Sequence, residues 1–418
     1  MGSLLCCFGM QACQCCCTLF SNTIGTPRHL YYRIGYVTFT FLWFIIGLFL
    51  LFNATPLLSK YYLDRIINCS EESGIANLSC IAQSIILRLS LVLSIFYLLF
   101  AFLCLIGGSV ISSLNDGIWL GKFLIVLFGF LFTFYFSNTL ILKYTYFCMA
   151  GSTLFQILEA FFIVALAYDW NSKWVSNYDT SSNDKIWAIL LILFTVISYL
   201  IGLIITLDMS LYYAFDFWDY LIISFNLFSC LLSTALVLLG RIQGGSIFTC
   251  AIVYAFNSSN IWSAFLSNPI IPSDQYSNFQ NILLGMLLIF ILLMYISLKT
   301  VDQASSNSQN NIMVNATELV IQQGPTHQPI SSNDLNDVPD VSIQASAFHL
   351  AMMLCCLYMP MLFTNWGSSE FYDSSSSYFE HTSTLSYFSK VCGGVVSNLL
   401  FLFTQFAPIL FPNRDFGR

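Results

Sequence analysis

Long apolar runs recur along this chain, at about residues 34–54, 85–107, 118–136, 146–168, 186–207, 217–240, 246–266, 280–298, 347–364 and 392–412. An α-helix needs about 20 such residues to cross roughly 30 Å of hydrocarbon. Backbone in that medium must satisfy its own hydrogen bonds, and the runs are too long for the strands of a β-barrel. Composition points the same way, because only 8% of the 418 residues are charged, against about 25% in an ordinary soluble domain. The expected fold is an all-α polytopic membrane protein with about ten transmembrane helices. An eleventh apolar stretch, residues 4–20, is short and crowded with cysteine. It reads as an interfacial segment rather than a cleaved signal peptide, since no basic region precedes it.

The runs divide the chain into a Cys-rich segment at 1–33, eight spans over 34–299, a polar loop at 300–344, and two further spans with a tail over 345–418. Lys and Arg set the orientation. With a cytosolic N-terminus, Arg28, Arg33, Lys122, Lys173, Lys185, Arg241, Lys299, Arg414 and Arg418 fall inside. Lys60, Arg65, Arg88, Lys143 and Lys390 then fall outside. That distribution favours both termini in the cytosol, with the protein in the plasma membrane or the endomembrane system.

The outer loop 55–84 carries glycosylation signals at Asn68 and Asn77 and the cysteines Cys69 and Cys80. An oxidising exterior permits a Cys69–Cys80 disulfide. Asn77 is the better glycan acceptor, because Asn68 abuts a cysteine that could be bridged. Free thiols and unused signals are the alternative. The loop 300–344 is rich in Ser, Asn, Gln and Asp, cannot bury a core, and is expected to be disordered in the cytosol. Residues 367–386 form a further polar outer loop.

No HExxH, Walker, GxSxG or GxGxxG motif is present, so neither hydrolysis nor ATP-driven transport has visible machinery. The four histidines are scattered, no cofactor is implied, and the absence of a basic run argues against nucleic acid. The reading is of a protein that is not an enzyme. Cys6, Cys7, Cys15, Cys16 and Cys17, with Cys13, are packed too tightly for a usual zinc site. Palmitoylation at the membrane edge and plain packing remain the two readings for them.

Polar residues inside the spans carry the rest of the signal, because such groups usually face protein or a wet cavity. Ser152, Thr153, Gln156 and Glu159 recur at helical spacing along the span 146–168, and Asn226, Ser229, Cys230 and Ser233 do so along 217–240. The run Asn257–Asn260 marks a candidate break in the span 246–266. Either these stripes line a groove for a polar headgroup or they hydrogen-bond helices together. Lys122 is a candidate partner for Glu159 across a depth gap of roughly 8 Å, or it snorkels to the interface. Glu159, Gln156, Lys122, Asn226 and Ser229 are the candidate groove residues.

Several segments, in order, resemble the serine incorporator family of eukaryotic membrane proteins. They are MGSLLCCFGMQACQCCC at the start, NDGIWLGKF around Lys122, YDWNSKWV from Tyr168, LIISFNLFSC from Leu221, NIWSAFLSNP from Asn260, FTNWGS from Phe363 and the tail FAPILFPNRDFGR. The resemblance implies two helical bundles joined by long tilted helices, the span 146–168 among them. It also implies a role in phosphatidylserine and sphingolipid supply or in ATP-independent phospholipid scrambling. Glu159 stands where that family often has Gln, and Ala165 where it often has a carboxylate. The leading expectation is therefore passive phospholipid transport, with membrane phospholipids as partners. The alternatives are a scaffold that recruits serine or lipid-synthesis enzymes, and an ion-coupled solute transporter.

Overall fold

The computed structural model describes residues 28–51, 78–180, 185–240, 245–266, 282–298, 339–364 and 377–410. Every regular element among them is helical. In chain order these are α1 (Arg28–Phe49), α2 (Leu78–Ile106), α3 (Ser109–Asp116), α4 (Trp119–Phe132), α5 (Asn138–Thr180), α6 (Ile186–Asp208), α7 (Phe217–Leu238), α8 (Ile247–Phe265), α9 (Ile282–Leu298), α10 (Pro339–Phe363) and α11 (Ser377–Leu410). A 3-10 turn, Thr133–Tyr135, prolongs α4, and a π turn, Met209–Tyr213, prolongs α6. Each of the ten expected runs thus falls on a helix. Seven helices are long and apolar enough to cross a membrane, namely α1, α2, α5, α6, α7, α10 and α11, while α4 and α9 are shorter apolar helices.

The helices outrun the apolar runs at polar ends. The helix α5 has 43 residues, a rise of about 65 Å, some twice the thickness of the hydrocarbon. It continues through Asp169–Thr180 because that segment holds no Gly or Pro to stop it. For the same reason α11 begins at Ser377, inside the stretch expected to be an outer loop, and α10 begins at Pro339, inside the loop expected to be disordered. The expected break at Asn257–Asn260 is absent: α8 is continuous, with Asn257 and Ser258 fully buried. Most of loop 300–344 lies outside the described residues, as do Cys6, Cys7, Cys15, Cys16, Cys17, Asn68, Cys69 and Asn77, while Cys80 falls in the first turn of α2, which begins inside the expected outer loop 55–84.

The described helices belong to two compact units. The first takes α1, Ser84–Tyr144, the end of α9 from Leu293 and α10 as far as Met359. Its core is aromatic. Trp43 of α1 stacks on Phe123 of α4 with centroids 5.0 Å apart, and Tyr36 meets Tyr97 and Phe100 of α2 edge-on at 5.9 and 5.8 Å. Gly35 lets Trp119 lie against α1, since a Cβ there would sit 2.5 Å from the indole ring. Gly107 (φ 71°) and Gly108 (φ 116°) end α2 in conformations that side chains resist. Ile118 takes a left-handed φ of 57° at the corner between α3 and α4. Its carbonyl accepts the Lys122 amide at 3.1 Å, which makes the strained residue the first acceptor of α4.

Arg88, fully buried on α2, closes the far end of α4. Its guanidinium donates to the carbonyls of Thr133 and Phe136, the first of which also accepts the Phe136 amide at 3.0 Å as the helix ends. Its Nε reaches Ser84 at 3.2 Å, and Ser84 donates to Asn138 Oδ1 at 2.7 Å. A cation at a helix C-terminus also opposes the helix dipole.

The second unit takes Thr145–Leu292 and the chain from Pro360 onward. Here α8 is the central helix and packs against α6, α7 and α11. Val253 and Phe256 of α8 meet Ile163 and Val164 of α5, Leu292 of α9 and Phe401 of α11 in one cluster. Toward one end, Ile261 and Phe265 pack with Met209 and Ile223 in another. The helix α6 inverts the pattern of a soluble protein. It buries Ser198, Gly202 and Thr206 and turns its large apolar side chains outward, as a lipid-facing helix does.

Candidate functional site

The polar stripe of α5 is buried and faces α11 within the second unit. Ser152 donates to the carbonyl of Cys148 one turn back at 2.5 Å, which satisfies it locally. Thr153 donates to Met149 O and lies 2.7 Å from the hydroxyl of Ser389 on α11. Gln156 packs on Gly393, where a Cβ would sit 2.9 Å from its Oε1. That oxygen is buried with no hydrogen-bond partner among the described residues. Glu159, one turn further, is only 5% exposed. Interior polar atoms without partners are expensive at hydrocarbon depth, so this face is held by packing against α11 rather than by a closed set of hydrogen bonds.

The stripe of α7 is different, because it is satisfied. Asn226 donates to Ser258 of α8 at 2.9 Å, and Asn398 of α11 donates to Asn226 Oδ1 at 3.0 Å. Asn257 donates to Asn398 Oδ1 at 3.0 Å, and Ser397 donates to Asn257 Oδ1 at 2.6 Å. All five side chains are buried. The result is a polar node that ties three helices together where Ser and Asn side chains commonly do so. Ser229 is buried on the same face of α7, and the Oγ of Ser233 has no partner among the described residues. Asn226 therefore serves helix packing, while Gln156 and Glu159 keep polar character that packing does not use up.

At one end of this unit, Tyr387 donates to Asp219 Oδ1 at 2.6 Å, and Asp219 Oδ2 accepts the amides of Phe215 and Asp216 at the start of α7. Lys390 donates to both the carbonyl and the hydroxyl of Ser263 at 3.1 Å. These contacts fix the first turns of α11 against α7 and α8.

Lys122 belongs to the first unit and Glu159 to the second. The ammonium of Lys122 donates to Asn115 O at 2.7 Å and lies 4.3 Å from the ring of Trp119 and 4.5 Å from that of Tyr36. The helix that follows α3 thus caps a carbonyl of α3 with a cation, and this lysine is buried rather than snorkelling to the interface. Thr153 and Gln156 are brought against Ser389 and Gly393 of α11, and Glu159 is buried one turn beyond Gln156 on α5.

Sequence reading passed over α11 in this role. The signal was there, in Ser389, Gly393 and Ser397 at intervals of four, the small-residue spacing that lets helix backbones approach closely. Among the described residues no group of three His, Cys, Asp or Glu side chains could hold a metal ion. Cys392, which is exposed, and Cys104, Cys148, Cys230, Cys250, Cys355 and Cys356, which are buried, form no disulfide among the described residues.

The chain matches the family described as serine incorporator over residues 5–414. It is 24% identical over 400 residues to a probable serine incorporator of Nematostella vectensis, covering 86% of each chain. It is 25% identical over 332 residues to serine incorporator 2 of Mus musculus, covering 73% of this chain and 72% of that one. A probable serine incorporator of Monosiga brevicollis is 25% identical over 500 residues, covering 99% and 96%. With a family match that runs almost from end to end over a wholly helical, strongly apolar fold, the chain belongs to the serine incorporator family of membrane proteins.

Proposed function

We propose that the protein moves phospholipids passively between membrane leaflets and so serves the supply of phosphatidylserine and other serine-derived lipids. It does so without catalysing covalent chemistry and without ATP. The observation that carries the proposal is the placement of Gln156 against Gly393 of α11, with Glu159 buried one turn further along the apolar part of α5. A headgroup crossing the bilayer needs a few polar contacts at that depth while its tails stay in lipid. The relatives named serine incorporator lend the link to serine-derived lipids. In this reading both termini face the cytosol, and the outer loops face the exterior or the lumen of an internal membrane.

The test is exchange of fluorescent phospholipid by the purified protein in liposomes without ATP, beside Glu159→Leu. Fast exchange in the wild type and a several-fold loss in a folded Glu159→Leu variant are expected. Exchange that the variant leaves unchanged would remove Glu159 from the path. No exchange from well-folded wild-type protein would transfer the role to recruitment of lipid-synthesis enzymes, and exchange only under an ion gradient would make this a coupled transporter.

A further inference from the structure

Three basic side chains from three helices converge in the first unit. Arg33 of α1 is 3% exposed, Lys122 of α4 is 2% exposed and His349 of α10 is fully buried. The Arg33 guanidinium lies 5.6 Å from the ring centroids of both Tyr32 and Phe348. The His349 ring lies 4.7 Å from Tyr36 and 5.4 Å from Phe348. Lys122 and His349 share the ring of Tyr36, at 4.5 and 4.7 Å, and Arg33 and His349 share that of Phe348, at 5.6 and 5.4 Å. Asp116, the carboxylate that acts on Lys122, is exposed at the end of α3, so the buried part of the cluster is cationic.

Two atoms of this cluster are left over. Arg33 uses Nε to donate to Tyr32 at 2.9 Å, but its Nη1 is buried with no partner among the described residues. His349 meets Asn115 Oδ1 through Nε2 at 2.8 Å, and its Nδ1 is likewise buried without a partner among them. Asn115 directs its amide nitrogen to Asp116 at 3.4 Å, which leaves its oxygen as the acceptor for the histidine. In the neutral ring Nδ1 then carries a lone pair. An orphaned guanidinium donor and an orphaned imidazole acceptor, in a cluster with a second buried basic group, describe a site short of an anionic group that can also donate an O–H.

We infer that Arg33, His349 and Lys122 form a binding site for a phosphate group, held by Arg33 Nη1 and His349 Nδ1 in the field of the Lys122 ammonium. Phosphate suits the arrangement because its several oxygens can meet donors from different directions. A singly protonated phosphate offers an acceptor to Arg33 and an O–H to His349. Arg33 lies in the second turn of α1, Lys122 in the first turn of α4 and Asn115 at the end of α3, so these three stand near helix ends, while His349 comes from further along α10. The phosphate comes either from a lipid headgroup that stays bound or from solution. This site belongs to the first unit and does not rest on the lipid path proposed for α5 and α11.

Trp119 supplies a local reporter, since its ring lies 5.0 Å from Tyr36 and 4.3 Å from Lys122 Nζ. Delipidated full-length protein in detergent is titrated with inorganic phosphate and, separately, with short-chain phosphatidic acid. Tryptophan fluorescence is followed, with Trp119→Phe to identify the signal. A saturable change is expected in the wild type and in Glu159→Leu, weakened roughly tenfold or more in Arg33→Gln and His349→Gln. Response to both probes makes the phosphate group alone sufficient, whereas response to phosphatidic acid alone makes the site a lipid-headgroup site; either supports the inference. Response to neither probe overturns it, as does unweakened binding in Arg33→Gln with wild-type helicity. Should Arg33→Gln fail to fold, Arg33→Lys decides the matter: it keeps the charge but loses the planar fork, so binding equal to wild type would sink the assignment.

Discussion

Asn398 on α11 donates its side-chain amide to Asn226 on α7 at 3.0 Å while its own oxygen accepts from Asn257 on α8 at 3.0 Å. One residue therefore bridges two helices. Replacing Asn398 by Leu leaves Asn226 Oδ1 and Asn257 Nδ2 buried without these partners. The expected loss is about 1–3 kcal/mol, read as a lowered apparent Tm of the detergent-solubilised protein. Pairing Asn398→Leu with Asn226→Leu should cost less than the sum of the two, because the second change removes a stranded group. A fully additive double variant would show that the node is not cooperative.

Gly393 offers a cleaner probe of the α5–α11 face than Glu159 itself. A Cβ at that position meets the far end of the flexible Gln156 side chain at 2.9 Å, so Gly393→Ala can be accommodated by a shift of Gln156. The variant should keep its helicity and apparent Tm while lipid exchange in liposomes changes. Normal exchange in Gly393→Val as well would separate the Gln156 face from the path.

Gly35→Ala should behave in the opposite way. The new methyl group would lie 2.5 Å from the rigid indole ring of Trp119, which Tyr36 and Phe39 flank at 5.0 and 6.3 Å. Overpacking of this kind destabilises by about 1–3 kcal/mol. Circular dichroism on heating and a shift in tryptophan emission would both register it. A variant as stable as wild type would mean that α4 has room to move off α1.

Arg88→Met keeps most of the volume of the side chain but removes the guanidinium donors to the carbonyls of Thr133 and Phe136. Two acceptors at a helix end then lack this partner, and a loss of about 1–3 kcal/mol is expected. Arg88→Lys should recover only part of it, because a single ammonium cannot reproduce the fork that also touches Ser84. Limited proteolysis near residues 133–138 would report the loosened corner directly.

Hydrocarbon thickness made the helices legible in the sequence: a run of apolar residues long enough to span has few other ways to fold. The ends were illegible, because Asp169–Thr180 and Ser377–Ser386 are polar and yet hold no helix breaker. The stripe at Thr153, Gln156 and Glu159 was legible from its period, but its partner was not, since periodicity on one helix does not say which helix it faces. Asn257–Asn260 misled for a related reason. A polar run reads as a break until Asn226 and Asn398 arrive from elsewhere in the chain to pair with it. Lys122 was read by depth alone, and depth is silent about the carbonyl of Asn115, which only the Ile118 corner brings within reach.

The inverted pattern of α6 bears on how the family drifts. Ser198, Gly202 and Thr206 are the residues this helix buries, and the Gly202 position abuts the ring of Tyr254. Elsewhere on α6 one lipid-facing apolar residue replaces another at little penalty. Identity between relatives should therefore gather on a seam one residue wide and fade around the rest of the circumference. A low overall score across this helix would then record a lenient solvent, not a relaxed structure.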